Sequence, residues 1–273
     1  MSIITISRGS FTGGKAVAEA LSAKLGYPCI SKEIIFDAAD EFGIPEEKLV
    51  ATFEKPPKSW KQTPSKRIDH LSYVRYELLK RAKNEDLVFH GYAGHLLLGD
   101  ISHVIRVRVI ADMEYRIRIA MEKNNLTRKE AFSIITKQDK QSRKWVKFLY
   151  GIDWEHPSLY DVVINLERTN IEGAVAIIEK MTHLDHFKHT AASRKAFNDQ
   201  LLSSLVWAAL IKDERTCSSN VRITANNGEI TITENIDSEH TIDAIQTVAM
   251  QVEGVKQVHC EIDDISQEYR VRS

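Results

Sequence analysis

A glycine-rich loop near the start, Gly9-Ser10-Phe11-Thr12-Gly13-Gly14-Lys15-Ala16, constrains this chain more than any other stretch. An apolar, β-branched run, Ile3-Ile4-Thr5-Ile6, precedes it, and a helical pattern over 16–25 follows. Strand, G-x-x-x-x-G-K and helix in that order make a phosphate-binding loop. Glycines lack a Cβ and accept positive φ, so backbone N–H groups can converge on an anion. The helix start adds unpaired N–H groups and a partial positive charge. Gly9, Ser10, Thr12, Gly13, Gly14, Lys15 and Ala16 are therefore the candidate phosphate-binding residues, with Lys15 contributing a full charge. The last position of the motif ordinarily holds Ser or Thr, whose hydroxyl ligates Mg²⁺. Here it is Ala16. The plainer alternative is a tight strand-to-helix turn with a solvated lysine; the flanking strand and helix favour the phosphate site.

The chain has 273 residues, enough for one large domain or two ordinary ones. A composition of 43% hydrophobic and 27% charged residues supports a sizeable core. The net charge of -1 gives no global pull toward nucleic acid or an anionic membrane, so phosphate affinity must come from local clusters. No secretory signal is visible at the start, and the apolar stretch 201–211 is broken by Ser203 and Ser204 and too short to span a bilayer. The three cysteines, Cys29, Cys217 and Cys260, lack metal-ligand spacing, and a reduced, cytoplasmic setting is expected.

Strand patterns at 3–7, 87–90, 104–110 and 162–166 alternate with helix patterns at 14–25, 32–42, 66–84, 113–124, 128–150 and 171–181. Such alternation predicts an α/β fold, a parallel sheet flanked by helices, with binding at the carboxyl ends of the strands. The stretch 56–64 reads as a loop or exposed insertion, and 184–198 as a polar linker. Beyond it come a helix over 199–211, two alternating runs joined by Asn227-Gly228, a helix over 241–252 and a last strand over 255–262. This is a small α+β unit, so the expected domains are 1–183 and 199–273.

A second cluster lies between Arg116 and Lys147. Arg116 and Arg118 sit in a helix just after a strand, and the next helix carries Lys137, Lys140, Arg143, Lys144 and Lys147 at spacings that share one side. A cationic face aimed at the sheet's carboxyl edge would close over phosphates, as phosphoryl transfer requires. An ordinary solvated face is the alternative.

Together with Gly26-Tyr27-Pro28, Lys32-Glu33-Ile34-Ile35, Gly151-Ile152-Asp153-Trp154 and Pro157-Ser158-Leu159-Tyr160-Asp161, these stretches resemble the cytidylate kinase-like family over about residues 1–182. The resemblance implies a P-loop kinase fold, ATP and Mg²⁺ as cofactors, and phosphoryl transfer to a nucleoside monophosphate, CMP being the first guess. It implies that Gly9 to Lys15 hold the donor phosphates and that Lys15, Arg116, Lys137, Lys140 and Arg143 are the catalytic cations. Ser31, Asp37, Arg75, Gly91 and Tyr92 would face the acceptor. Three positions depart from the family's pattern: Ala16 lacks the metal hydroxyl, Ser31 stands where many relatives place Asp, and Tyr92 stands where Arg is usual. These departures keep two alternatives open, a nucleotide-binding regulatory module with little turnover and a kinase for another small acceptor.

The segment 199–271 resembles a BON domain, carried by Leu205-Val206-Trp207-Ala208-Ala209-Leu210, the Asn227-Gly228 hairpin and Gly254-Val255-Lys256-Gln257-Val258. That implies interaction with a protein or small-molecule partner, or packing within the chain or a homodimer. His183, His186 and His189 recur every three residues, but a solvated linker explains them better than a metal site. Trp145 reads as a residue buried against the sheet.

Overall fold

Residues that are apolar on both faces build the centre of the fold. Ile3, Ile4 and Ile6 are fully buried, as are Val104, Ile105, Val107 and Val109, the continuous runs expected of strands covered on two sides. The computed structural model of the chain describes residues 2–54, 65–83, 86–91, 93–99, 101–217, 221–234 and 239–262. In chain order the elements are β1 (Ile3–Arg8), α1 (Gly14–Leu25), β2 (Cys29–Ile30), α2 (Glu33–Phe42), α3 (Glu46–Glu54) and α4 (Ser65–Ala82). Next come β3 (Leu87–His90), α5 (Gly94–Leu97), β4 (Val104–Ile110), α6 (Met113–Asn124), α7 (Arg128–Tyr150), β5 (Val162–Asn165) and α8 (Ile171–Thr182). The last are α9 (Ala191–Lys212), β6 (Val221–Asn226), β7 (Glu229–Glu234), α10 (Glu239–Met250) and β8 (Gln257–Ile262). The expected insertion at 56–64 lies outside the described residues.

The backbone clusters into two units, 1–67 with 84–190, and 68–83 with 191–273. The first unit holds a five-stranded parallel sheet in the order β2-β3-β1-β4-β5. β1 is central, pairing Ile6 with His90 of β3 and with Val107 of β4. The chain therefore crosses to opposite sides of β1 in turn, and the crevice at the strands' carboxyl ends is where such a sheet binds ligands. α1 buries Val17, Ala18 and Leu21 against Ile4, Ile6 and Val107, in one cluster with Ala174, Val175 and Ile178 of α8. α6 and α7 form a hairpin with its own small core, Ile117, Ala120, Ala131 and Ile135.

The second unit has a three-stranded sheet, β6-β7-β8, with β6 and β7 antiparallel and β7 and β8 parallel. Asn227 and Gly228 join the hairpin at φ 54 and 91, the left-handed pair that a two-residue turn demands. The Asn227 amide donates to Asp199 Oδ1 at 2.8 Å, so α9 holds the turn. The apolar faces of α9, α10 and the sheet meet at Val206, Leu210, Ile230, Ile232, Ile245 and Val248. Two features of this unit differ from expectation. α9 begins at Ala191, inside the stretch read as a linker, because Ser193 and Phe197, one turn apart, are both buried. Residues 68–83, most of them in α4, cluster with this unit although they lie in sequence between α3 and β3. Among the described residues, no helix is long and apolar enough to cross a membrane.

Three buried histidines give the first unit a pH dependence. Burial, then Arg8, pushes His90 down to about 4. Burial, then the arginines at 108 and 106, pushes His95 down to about 3, and burial, then His189, pushes His103 down to about 4. Between about pH 4 and pH 6.5 the unfolded chain binds protons on these rings that the folded chain does not, so stability falls as pH falls. The expected loss is about 1 kcal/mol per histidine for each pH unit below 6.5. Denaturant midpoints at pH 7 and pH 5 measure it; equal midpoints would show that the rings are solvated.

Candidate active site

The loop after β1 is held open by its own backbone and by the α6–α7 hairpin. Gly13 is the N-cap of α1 at φ 86, and no side chain caps the helix. α6, α7 and α8 by contrast are capped by Asp112, Thr127 and Asn170. The first N–H groups of α1 are thus left for an anion. The φ of Gly13 strains any other residue there, and a Cβ at Gly14 would stand 2.6 Å from Arg8 Cβ, so both positions favour glycine. Phe11 takes φ 59, uncommon for a side chain of this size, and packs onto the α6–α7 core. Thr12 is buried and donates to the Gly9 carbonyl at 3.1 Å.

Arg116 of α6 ties the loop down. Its Nε donates to the Ser10 carbonyl at 2.7 Å, and its Nη2 meets Asp139 Oδ1 of α7 at 2.7 Å. Lys15 stands in solvent, 62% exposed, with Glu19 at 3.5 Å, and Ala16 brings no hydroxyl.

A cleft of about 530 Å³ opens beside the loop. Ser7, Arg8 and Ser10 supply one wall, Gly91 and Ala93 another, and Gln138, Gln141, Ser142 and Trp145 of α7 a third. Phe53 and Trp154 complete the lining with Val146. Trp145 does not pack on the sheet as expected; its Nε1 donates to the Thr52 carbonyl of α3 at 2.6 Å, and its ring lies 5.8 Å from Phe53. Below Trp154, Arg108 is buried, donating to the Trp154 carbonyl at 3.0 Å and to the Tyr160 hydroxyl at 3.2 Å. Tyr160 in turn meets Ser7 Oγ at 3.2 Å, and Glu155 receives Arg108 at 3.6 Å and Arg143 at 3.3 Å. Burial pushes the Tyr160 phenol up from its ordinary value, so it stays a neutral partner in this network.

The expected cationic face of α7 is corrected by this geometry. At 100° per residue, Gln138, Gln141, Ser142 and Trp145 share the side turned to the cleft. Lys137 and Lys140 are exposed and lie outside the cleft lining. Arg143 is half exposed, on Glu155. The bulky Trp145 and Val146 had to be buried, and that fixed the rotation of the helix. On the acceptor side, Ser31 and Gly91 come together: Ser31 Oγ donates to the His90 carbonyl at 2.9 Å, and a Cβ at Gly91 would lie 3.8 Å from Ser31 Oγ. Asp37 sits half-buried on α2. Arg75 lies in the second unit, where it donates to Gln200 at 3.0 Å. Tyr92 lies outside the described residues. Arg8 and Arg108, both inside strands, were missed by motif reading; an arginine within an otherwise apolar strand is the signal that could have found them.

The family model of the cytidylate kinase-like family matches residues 3–168. The chain belongs to the cytidylate kinase-like family. A BON domain model matches residues 198–263. A cytidylate kinase of Sulfurisphaera tokodaii is 31% identical over 180 residues, covering 65% of this chain and 93% of its own. One of Thermococcus kodakarensis is 25% identical over 185 residues, covering 67% and 88%. The crystal structure of an uncharacterized protein from Eubacterium ventriosum matches with a TM-score of 0.51 at 22% identity, covering 67% of this chain and 98% of that one, and shows the shared fold. The family match thus spans β1 to the segment just after β5, the whole of the parallel sheet.

Proposed function

We propose that the chain transfers a phosphoryl group from ATP to a nucleoside monophosphate, with CMP as the preferred acceptor. The observation that carries this reading is the uncapped start of α1 behind the glycine cradle, opening beside the cleft that Ser10 and Arg8 line. Backbone N–H groups of 13–16 and the Lys15 ammonium hold the donor phosphates. Arg116 keeps the loop in shape through Ser10. Ser31, Asp37 and Gly91 border the acceptor side, whose phosphate oxygen is already anionic and needs no general base. The uncapped start of α1, with Gly13 at φ 86, fits an anionic phosphate. Mg²⁺ would neutralise phosphate charge in such a reaction, and Ala16 would offer it no hydroxyl ligand. The BON-like unit serves as a binding module for a protein or small-molecule partner.

A second reading, a nucleotide-binding regulatory module, is favoured by Ala16 and by the solvent-facing Lys137 and Lys140. Initial rates with ATP, Mg²⁺ and a panel of CMP, UMP, AMP and GMP separate the two. The expected result is turnover with kcat/KM highest for CMP, by about tenfold over the purine nucleotides. Nucleotide binding without turnover on the whole panel would leave the regulatory reading.

A further inference from the structure

We propose that Arg8, the last residue of β1, is the catalytic cation that meets the phosphoryl group in flight. The proposal rests on the phosphoryl-transfer reading above. Arg8 lies between Ser7 and Ser10 on the wall of the cleft nearest the loop, at the carboxyl edge of the central strand. It is the one charged residue among the described residues lining that cleft; the facing wall offers amides, a hydroxyl and rings.

The loop is shaped around it. A Cβ at Gly14 would stand 2.6 Å from Arg8 Cβ and 3.1 Å from Arg8 Cδ. Glycine at 14 therefore does more than free the loop's backbone: it lets the Arg8 stem pass over the first turn of α1. The other cations expected at the transferring group do not line the cleft. Arg116 grips the Ser10 carbonyl and Asp139, Arg143 grips Glu155, and Lys137 and Lys140 stand outside the cleft. The field of Arg8 also reaches His90, where it adds to burial in keeping that ring neutral.

In the transfer, an acceptor phosphate oxygen forms a bond to the γ-phosphorus of ATP. The bond from that phosphorus to the β,γ-bridging oxygen breaks, and the oxygen leaves with its electron pair on ADP. No proton moves. Charge spreads over the three equatorial oxygens of the moving group, where a planar guanidinium with several N–H donors fits better than a point charge. A cation fixed by the strand also offsets the metal-binding hydroxyl that Ala16 lacks.

The test compares Arg8→Ala and Arg8→Lys with the unaltered protein. Arg8→Ala is expected to lower kcat by about 10²- to 10³-fold while the ATP dissociation constant changes by less than about threefold. Arg8→Lys recovers little, and guanidinium ion in solution restores part of the Arg8→Ala rate but none of a Lys15→Ala rate. A kcat within about threefold of the original, or equal losses in kcat and ATP affinity, would overturn the proposal. An acceptor panel without turnover defeats the kinase reading on its own, and binding then decides the role of Arg8. A dinucleoside pentaphosphate, which spans donor and acceptor phosphates, is expected to bind Arg8→Ala at least about tenfold more weakly, with ADP affinity retained. Equal pentaphosphate affinity in both proteins would overturn it.

Discussion

Lys15→Ala is expected to lower kcat/KM for phosphoryl transfer by about 10³-fold while moving the melting temperature by less than about 2 °C. The first half follows from position. Lys15 is the second residue of α1, where in the proposed reading its ammonium would join the helix N-terminus and the N–H groups of the loop in facing the donor phosphates. Charge on the donor phosphates shifts during transfer, so a cation placed there counts for more in the transition state than in the ground state. The second half follows from exposure. Lys15 is 62% exposed, and its pairing with Glu19 at 3.5 Å is a solvent-exposed contact that contributes little to stability. Alanine is also the better helix former. Steady-state kinetics and a thermal melt on the same preparation check both halves. A loss below about tenfold would mean that the loop does not hold the donor.

The second large effect is on stability. Arg108→Met is expected to cost about 3 kcal/mol and to lower the melting temperature by roughly 10 °C. Arg108 is 6% exposed and stacks over Trp154 at 4.5 Å from the ring centre and over Tyr160 at 5.5 Å. Its hydrogen bonds to the Trp154 carbonyl and the Tyr160 hydroxyl tie β4 to the segment between α7 and β5. Methionine keeps much of the volume but leaves Glu155 with Arg143 alone and removes the cation from between two rings. Because Ser7 and Trp154 both line the cleft, the same substitution is expected to raise KM as well. Tyr160→Phe serves as the graded control: it removes the hydroxyl that meets Ser7, Arg108 and Trp154 but keeps the stacked ring, so its loss is smaller. A melting temperature for Arg108→Met within 2 °C of the original would show the network to be incidental.

Local chemistry made parts of the fold legible from residues alone. The β-branched run before the loop, the glycines that accept left-handed φ, and the Asn227-Gly228 turn each constrain only their neighbours, and each forms as read. The helix of 128–150 is also as read, and the structure adds a Thr127–Glu130 capping box at its start. Its rotation was not legible. Charge spacing groups Lys137, Lys140 and Arg143, but the side that faces the cleft is decided by where Trp145 and Val146 find cover, a long-range matter. The same holds for α4, most of which falls within the residues 68–83 that cluster with α9 and the small sheet rather than with their neighbours in sequence. Arg8 and Arg108 escape motif reading because a strand's periodicity gives the face of a residue but not what lies opposite it.

In the proposed function the loop and cleft move a phosphoryl group onto an acceptor. Incubation with ATP labelled on the γ-phosphate, Mg²⁺ and CMP, followed by separation of the nucleotides, tests it most directly. Label is expected in CDP with the unaltered protein, and at least about 10³-fold less with Lys15→Ala. Label that stays in ATP, or appears only as inorganic phosphate whatever nucleoside monophosphate is supplied, would contradict it.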